Sequence, residues 1–248
     1  MTLEEAVQAA ESGDVKAMYA LGNHYYQEKE FIDACEWFDR AACSGHTESF
    51  PLAMMTNTIA ALIIQEMGLW QRALDYWQNA LKWCGAIFQK PDLFADQTKD
   101  LASEKFKDSI YGICYNFYRM EQFSDAMKLL RNELDTDNRY KLLFGLCVFA
   151  SYGDDAVTGI KEAYHYLTVA ETDCPDVADD LIFQSLMLLA NLYRHAHTIQ
   201  VPGVRADIER AYRCVTKAAA LPGEIGTAAQ EELKKYSKGL FGSYTYNG

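Results

Sequence analysis

Basic residues are scarce in this chain: 23 Lys and Arg stand against 35 Asp and Glu, a formal charge of −12. A surface of that sign repels phosphate backbones, so nucleic acid is set aside as a partner and a basic peptide or protein is the better electrostatic match. Long apolar runs are missing as well. The most apolar stretches, Leu142–Ala150 and Leu181–Leu192, are too short or too interrupted to span a bilayer. The opening "MTLEEAVQAAESGD" carries acidic residues where a secretion signal needs basic ones. The expectation is a soluble, cytoplasmic protein with no membrane partner. No CxxC pair occurs among the seven scattered cysteines, which argues against a zinc knuckle and against a disulfide scaffold. In helical patterns a free cysteine behaves as a small hydrophobe. There is no HExxH, no Gly-rich loop after a strand, and no Ser–His–Asp, Cys–His or paired-carboxylate context. Catalytic residues, cofactor and metal are therefore not expected.

What is present is helical periodicity. Half of the 248 residues are hydrophobic, enough for a sizeable core, and they recur at helical spacing with no clear alternating run. Thr2 with Glu5 forms a capping box and Asp14 is the N-cap before Val15. Pro51, Pro91, Pro175, "VPG" at Val201–Gly203 and "LPG" at Leu221–Gly223 separate the helical blocks. The fold class is all-α.

The chain also resembles itself. A small residue, an aromatic three later, an alanine, a bulky residue and a second alanine recur as Gly22, Tyr25, Ala34, Phe38 and Ala41. Ala61, Ile64, Ala73, Trp77 and Ala80 repeat the series; Cys114, Phe117, Ala126 and Leu130 do so again, with Glu133 where the last alanine belongs. Gly145, Ala163, Leu167 and Ala170 mark a fourth copy, and Ala190, Tyr193, Ala211, Val215 and Ala218 a fifth. Each copy is a helix hairpin that cannot bury both faces alone and must stack on its neighbours. Repeats are placed at about 14–46, 51–84, 97–134, 138–173 and 177–221 of a single domain. A capping helix follows at about 223–237, and the insert 84–105 begins as a loop and runs into a lengthened third-repeat helix.

"GDVKAMYALGNHYY…FIDACEWFDRAACSGH" and "LANLYRHAHTIQVPGVRADIERAYRCVTKAAA" resemble the Sel1-like variant of the tetratricopeptide repeat. The likeness covers most of 14–220 and is sharpest in the first and fifth copies. Some secreted members have regularly spaced cysteine pairs in each repeat; here the spacing of Cys35 and Cys43 does not recur. The resemblance implies an α/α superhelical solenoid of about five hairpins, with the first helix of each hairpin lining a concave groove.

On that implication the groove is lined by Lys16, Tyr19, Asn23 and Tyr26, then Met55, Thr58, Leu62 and Gln65, then Asp108, Tyr111, Tyr115 and Tyr118. Arg139, Leu142, Leu146 and Phe149 follow, and Gln184, Met187, Asn191 and Arg194 complete the set. Tyrosines offer contact area at low entropic cost, and amides pair with an extended peptide backbone. The set lacks the Lys/Asn/Arg pattern with which some family members grip a C-terminal carboxylate. The expected function is a non-enzymatic scaffold that holds a protein or peptide segment, with Tyr111 and Tyr115 alternatively packing between repeats. A second reading is a metal- or small-molecule-dependent sensor or enzyme using His195 and His197; His24 and Glu28, four apart on one helix, make no site alone. A third is an architectural scaffold associating through its outer face and its tail. That tail, "YSKGLFGSYTYNG", resembles the endings of some bacterial Sel1-like proteins. It is apolar enough to fold back on the last hairpin or to dock on another protein or another copy.

Overall fold

The helix starts are fixed by short side chains. Thr2 Oγ1 accepts from the Glu5 amide while the Glu5 carboxylate accepts from the Thr2 amide, and α1 runs Leu3–Glu11. The Asp14 carboxylate accepts from the amides of Lys16 and Ala17 and opens α2, Val15–Gln27. Such caps satisfy backbone donors that have no partner inside the helix. The computed structural model describes residues 2–172, 177–239 and 243–248. Pro175, Cys174 and the Leu240–Gly242 part of the tail lie outside the described residues.

Twelve α-helices and one short hairpin make up what is described. The chain divides into two compact units, Met1–Glu121 and Gln122–Gly248. The first holds α1, α2, α3 (Phe31–Cys43), α4 (Ser49–Glu66), α5 (Trp70–Gln89) and α6 (Asp96–Arg119). Each helix packs on the next, and α4 also meets α6. The second holds α7 (Phe123–Leu130), α8 (Asn138–Ser151), α9 (Ala156–Leu167), α10 (Asp179–Ile199), α11 (Ile208–Ala219) and α12 (Gly223–Leu233). Strands β1 (Tyr236–Lys238) and β2 (Tyr244–Tyr246) follow.

The positions of the sequence register form the core. Ala34, Ala73, Ala126, Ala163 and Ala211 are all fully buried, and so are Phe38, Leu130, Leu167 and Val215. A side chain such as Phe38 contributes about 2–3 kcal/mol by leaving water. Small residues let helices approach at these points. A Cβ on Gly22 would stand 2.7 Å from the Phe38 ring, and one on Gly145 2.7 Å from Tyr166 Cβ. In unit 1, Ala34, Phe38, Phe50, Met54, Trp83, Ile87 and Ala102 join α3 to α6 in one cluster, and Ala61, Ile64, Trp77 and Ile113 form another. Where the last alanine is replaced by Glu133, helix α7 stops at Leu130, after eight residues.

In unit 2, Val201 of the Val-Pro-Gly loop is buried with Ile160, Leu192 and Ile199. Gln200 takes a left-handed conformation (φ 58°) to send the chain there. Glu171 receives a two-pronged bond from Arg210, Nε to Oε1 at 2.8 Å and Nη2 to Oε2 at 2.6 Å, and the guanidinium lies 4.4 Å over the Tyr193 ring. Burial, with the Glu171 charge beside it, holds the Tyr193 phenol well above its ordinary range.

Three boundaries differ from the sequence reading. The first residues of the 84–105 insert, Cys84–Gln89, continue α5, and only a short turn around Pro91–Leu93 separates it from the 24-residue α6. The capping helix ends at Leu233 rather than near residue 237. Beyond it, Tyr236–Lys238 and Tyr244–Tyr246 pair antiparallel, a strand ladder too short to leave an alternating signature in the sequence.

Candidate functional site

Helix α6 sets tyrosines at four-residue spacing, which stacks them on one face. The Tyr111 and Tyr115 rings are stacked at 6.2 Å and 21°. Trp70, the first residue of α5, meets Tyr115 edge-on at 6.0 Å and 83°. One turn further along α6, the Arg119 guanidinium lies 4.4 Å over Trp70 and 5.7 Å from the Tyr115 centroid, and its Nη1 donates to Tyr115 Oη at 2.9 Å. Ring stacking holds Tyr111 to Tyr115, and edge-on, cation–π and hydrogen-bond contacts join Trp70 and Arg119 to Tyr115 in one arrangement.

Of the four tryptophans, Trp37, Trp77 and Trp83 are buried, whereas Trp70 is half-exposed. It lines an open hollow of about 380 Å³ with Gly68, Leu69, Gln71, Arg72 and Met120. The turn behind it leaves Met67 64% and Leu69 41% exposed, and Leu62 on α4 is 49% exposed.

The groove positions meet several fates. Lys16, Gln184 and Asn191 are exposed. Tyr19, Tyr26, Met55, Tyr118, Phe149 and Met187 are half-buried; Tyr19 meets Phe38 edge-on, Tyr26 meets Phe31, and Asp108 pairs with Lys105. Asn23 spends its amide on the Tyr19 carbonyl at 3.0 Å, and Gln65 accepts from the Trp77 indole at 2.7 Å. Five of the expected groove positions are instead buried or engaged within the chain, which corrects them as open groove-lining side chains. Thr58 is buried and donates to the Met54 carbonyl, and Leu142 and Leu146 are buried in α8. Arg194 is only 9% exposed, because Glu232 of α12 pairs with it at 2.5 Å. Arg139 is tied to its own N-cap, Asp137, at 2.7 Å.

Trp70 and Arg119 escaped the sequence reading: Trp70 opens the second helix of its hairpin, where no position was counted, and Arg119 follows Tyr118, the last position counted on α6; an aromatic ending the apolar turn "MGLW" was the available signal. His195 sits at a kink in α10 (φ −115°, ψ 22°), and both it and His197 are exposed. Among the described residues no three His, Cys, Asp or Glu side chains gather as metal ligands. Cys35, Cys84, Cys114, Cys147 and Cys214 are buried and Cys43 is exposed, all as free thiols. Burial pushes the Cys84, Cys147 and Cys214 thiols up to about 12. Among the described residues no helix is long and apolar enough to cross a membrane.

No protein-family model matches the chain, and neither a curated protein nor a solved structure matches it.

Proposed function

We propose that this chain is a non-enzymatic α-solenoid of the Sel1-like/tetratricopeptide kind, which holds a protein or peptide segment against unit 1. Burial of the recurring alanines and bulky residues at every repeat supports the hairpin reading. The observation that carries the binding reading is the prearranged wall of Tyr111, Tyr115, Trp70 and Arg119 beside an apolar hollow. Aromatic faces and a guanidinium are the groups that dominate contact energy between proteins. Because these side chains already lean on one another, a ligand meets little ordering cost on the receptor side.

A display library of random twelve-residue peptides, panned against the intact chain, tests the proposal. Trp70 is the reporter, because the other tryptophans are buried. Enriched peptides are expected to change its fluorescence. Tyr115→Ala combined with Arg119→Ala should weaken them roughly tenfold or more, as loss of contact hot spots does, with an unchanged melting temperature. The absence of any enriched peptide, or equal binding by the variant, would overturn it.

A further inference from the structure

The chain's last strand is held like a bound peptide. A two-stranded ladder of three residues a side does not sustain itself in water, so its stability comes from what it leans on. The register is Tyr236↔Tyr246, Ser237↔Thr245 and Lys238↔Tyr244, prolonged by the Asn247 amide donating to the Lys235 carbonyl at 2.9 Å. On β2 the side chains alternate. Thr245 points away from the helices and meets Ser237 Oγ at 2.7 Å. Tyr244 and Tyr246, two residues apart, reach the helices. The Tyr244 ring stacks on Tyr212 of α11 at 3.9 Å and 18°. The Tyr246 hydroxyl donates to Glu232 of α12 at 2.9 Å, and the Arg194 guanidinium of α10 lies 4.4 Å over its ring. Arg194 also donates to the Tyr236 hydroxyl at 3.0 Å, and Tyr236 tilts against Tyr246 at 5.0 Å.

This is the logic of strand addition: a backbone edge supplies the ladder, and two pockets at a spacing of two read alternate side chains. The fit is incomplete. Nε of Arg194, on a side chain nine-tenths buried, has no hydrogen-bond partner among the described residues. A buried donor left without an acceptor weakens the occupant that leaves it so.

We propose that α10, α11, α12 and β1 form a recognition seat for an extended Tyr-x-Tyr segment, which the chain's own β2 fills as a displaceable occupant. The seat lies in the second unit and does not depend on the aromatic wall of the first. A tethered occupant competes at an effective concentration on the order of millimolar, so a free segment well below that concentration binds visibly only when the tether's tyrosines are removed.

The probe is fluorescein-labelled Ser-Tyr-Thr-Tyr-Asn-Gly, the sequence of residues 243–248, titrated by anisotropy into full-length protein. The Tyr244→Ala/Tyr246→Ala chain should bind it roughly tenfold or more tightly than the unaltered chain. Adding Arg194→Met, with fold and melting temperature checked, should abolish that gain, and a Ser-Ala-Thr-Ala-Asn-Gly probe should not bind. Equal binding by both chains, or none by either, would overturn the proposal. If the double variant does not fold, hydrogen exchange of the unaltered chain decides. Millimolar unlabelled hexapeptide should speed exchange at Thr245 and Asn247, whose amides face β1 in the ladder, while α8–α11 stay protected; unchanged exchange counts against the seat. Tyr115→Ala/Arg119→Ala should leave hexapeptide binding unaltered, which separates failure here from failure of the unit 1 reading.

Discussion

Asp39 illustrates what a single residue contributes once its neighbours are known. Its Oδ1 accepts from the Trp83 indole at 2.6 Å and from the Asn57 amide at 2.9 Å, which ties α3 to α5 and α4. Burial raises its pKa above the ordinary carboxylate range, and the bonds from Trp83 and Asn57 pull the other way without cancelling it. A carboxyl whose folded pKa is raised binds more protons in the native state. Stability should therefore fall as pH climbs from the ordinary carboxylate range through the raised one, and level off above it. Urea melts of Asp39→Asn against pH should lack that component, because an amide does not titrate there, while its oxygen can still accept both bonds. Asp39→Ala leaves two buried donors without an acceptor and should cost about 3 kcal/mol. Equal stability of the two variants would refute the network. None of this is legible in "EWFDRAA", where Asp39 is one of two acids; the partners lie 18 and 44 residues away.

At the scale of the element, helix propensity and packing make opposite demands on glycine. Gly85 lies inside α5 with open space where a side-chain methyl would stand, so Gly85→Ala should stabilise by about 0.5–1 kcal/mol. Gly112, inside α6, has no such room: a Cβ there would run into the Trp77 ring, whose indole is anchored on Gln65. Gly112→Ala should cost about 2 kcal/mol by overpacking. Thermal melts that move both variants in the same direction would show that propensity alone governs. The repeat register singled out Cys114, two residues beyond Gly112, and both are buried. Only the contact with Trp77 tells the position that must be empty from the one that must merely be small.

For the whole molecule, the charge of −12 sets a field in which a basic segment is attracted and an acidic one repelled. Peptides enriched on the chain should carry Lys or Arg and should weaken several-fold when salt rises from roughly 0.05 to 0.5 M, as screening shortens the reach of that field. Salt-independent affinity would assign recognition to the aromatic wall alone. By itself the sequence determined the all-helical class, the caps at Thr2 and Asp14, and the burial of the register's alanines with Phe38 and Trp77, because periodicity and capping act within a few residues. Only the tertiary structure decided which of the expected groove positions remain open. It buried Thr58, Leu142 and Leu146, gathered Trp70 and Arg119 onto Tyr115, and bound Arg194 and the final tyrosines into one seat. The physical reason is reach: one face of a helix is marked by its own sequence, but what covers that face comes from elements tens of residues away.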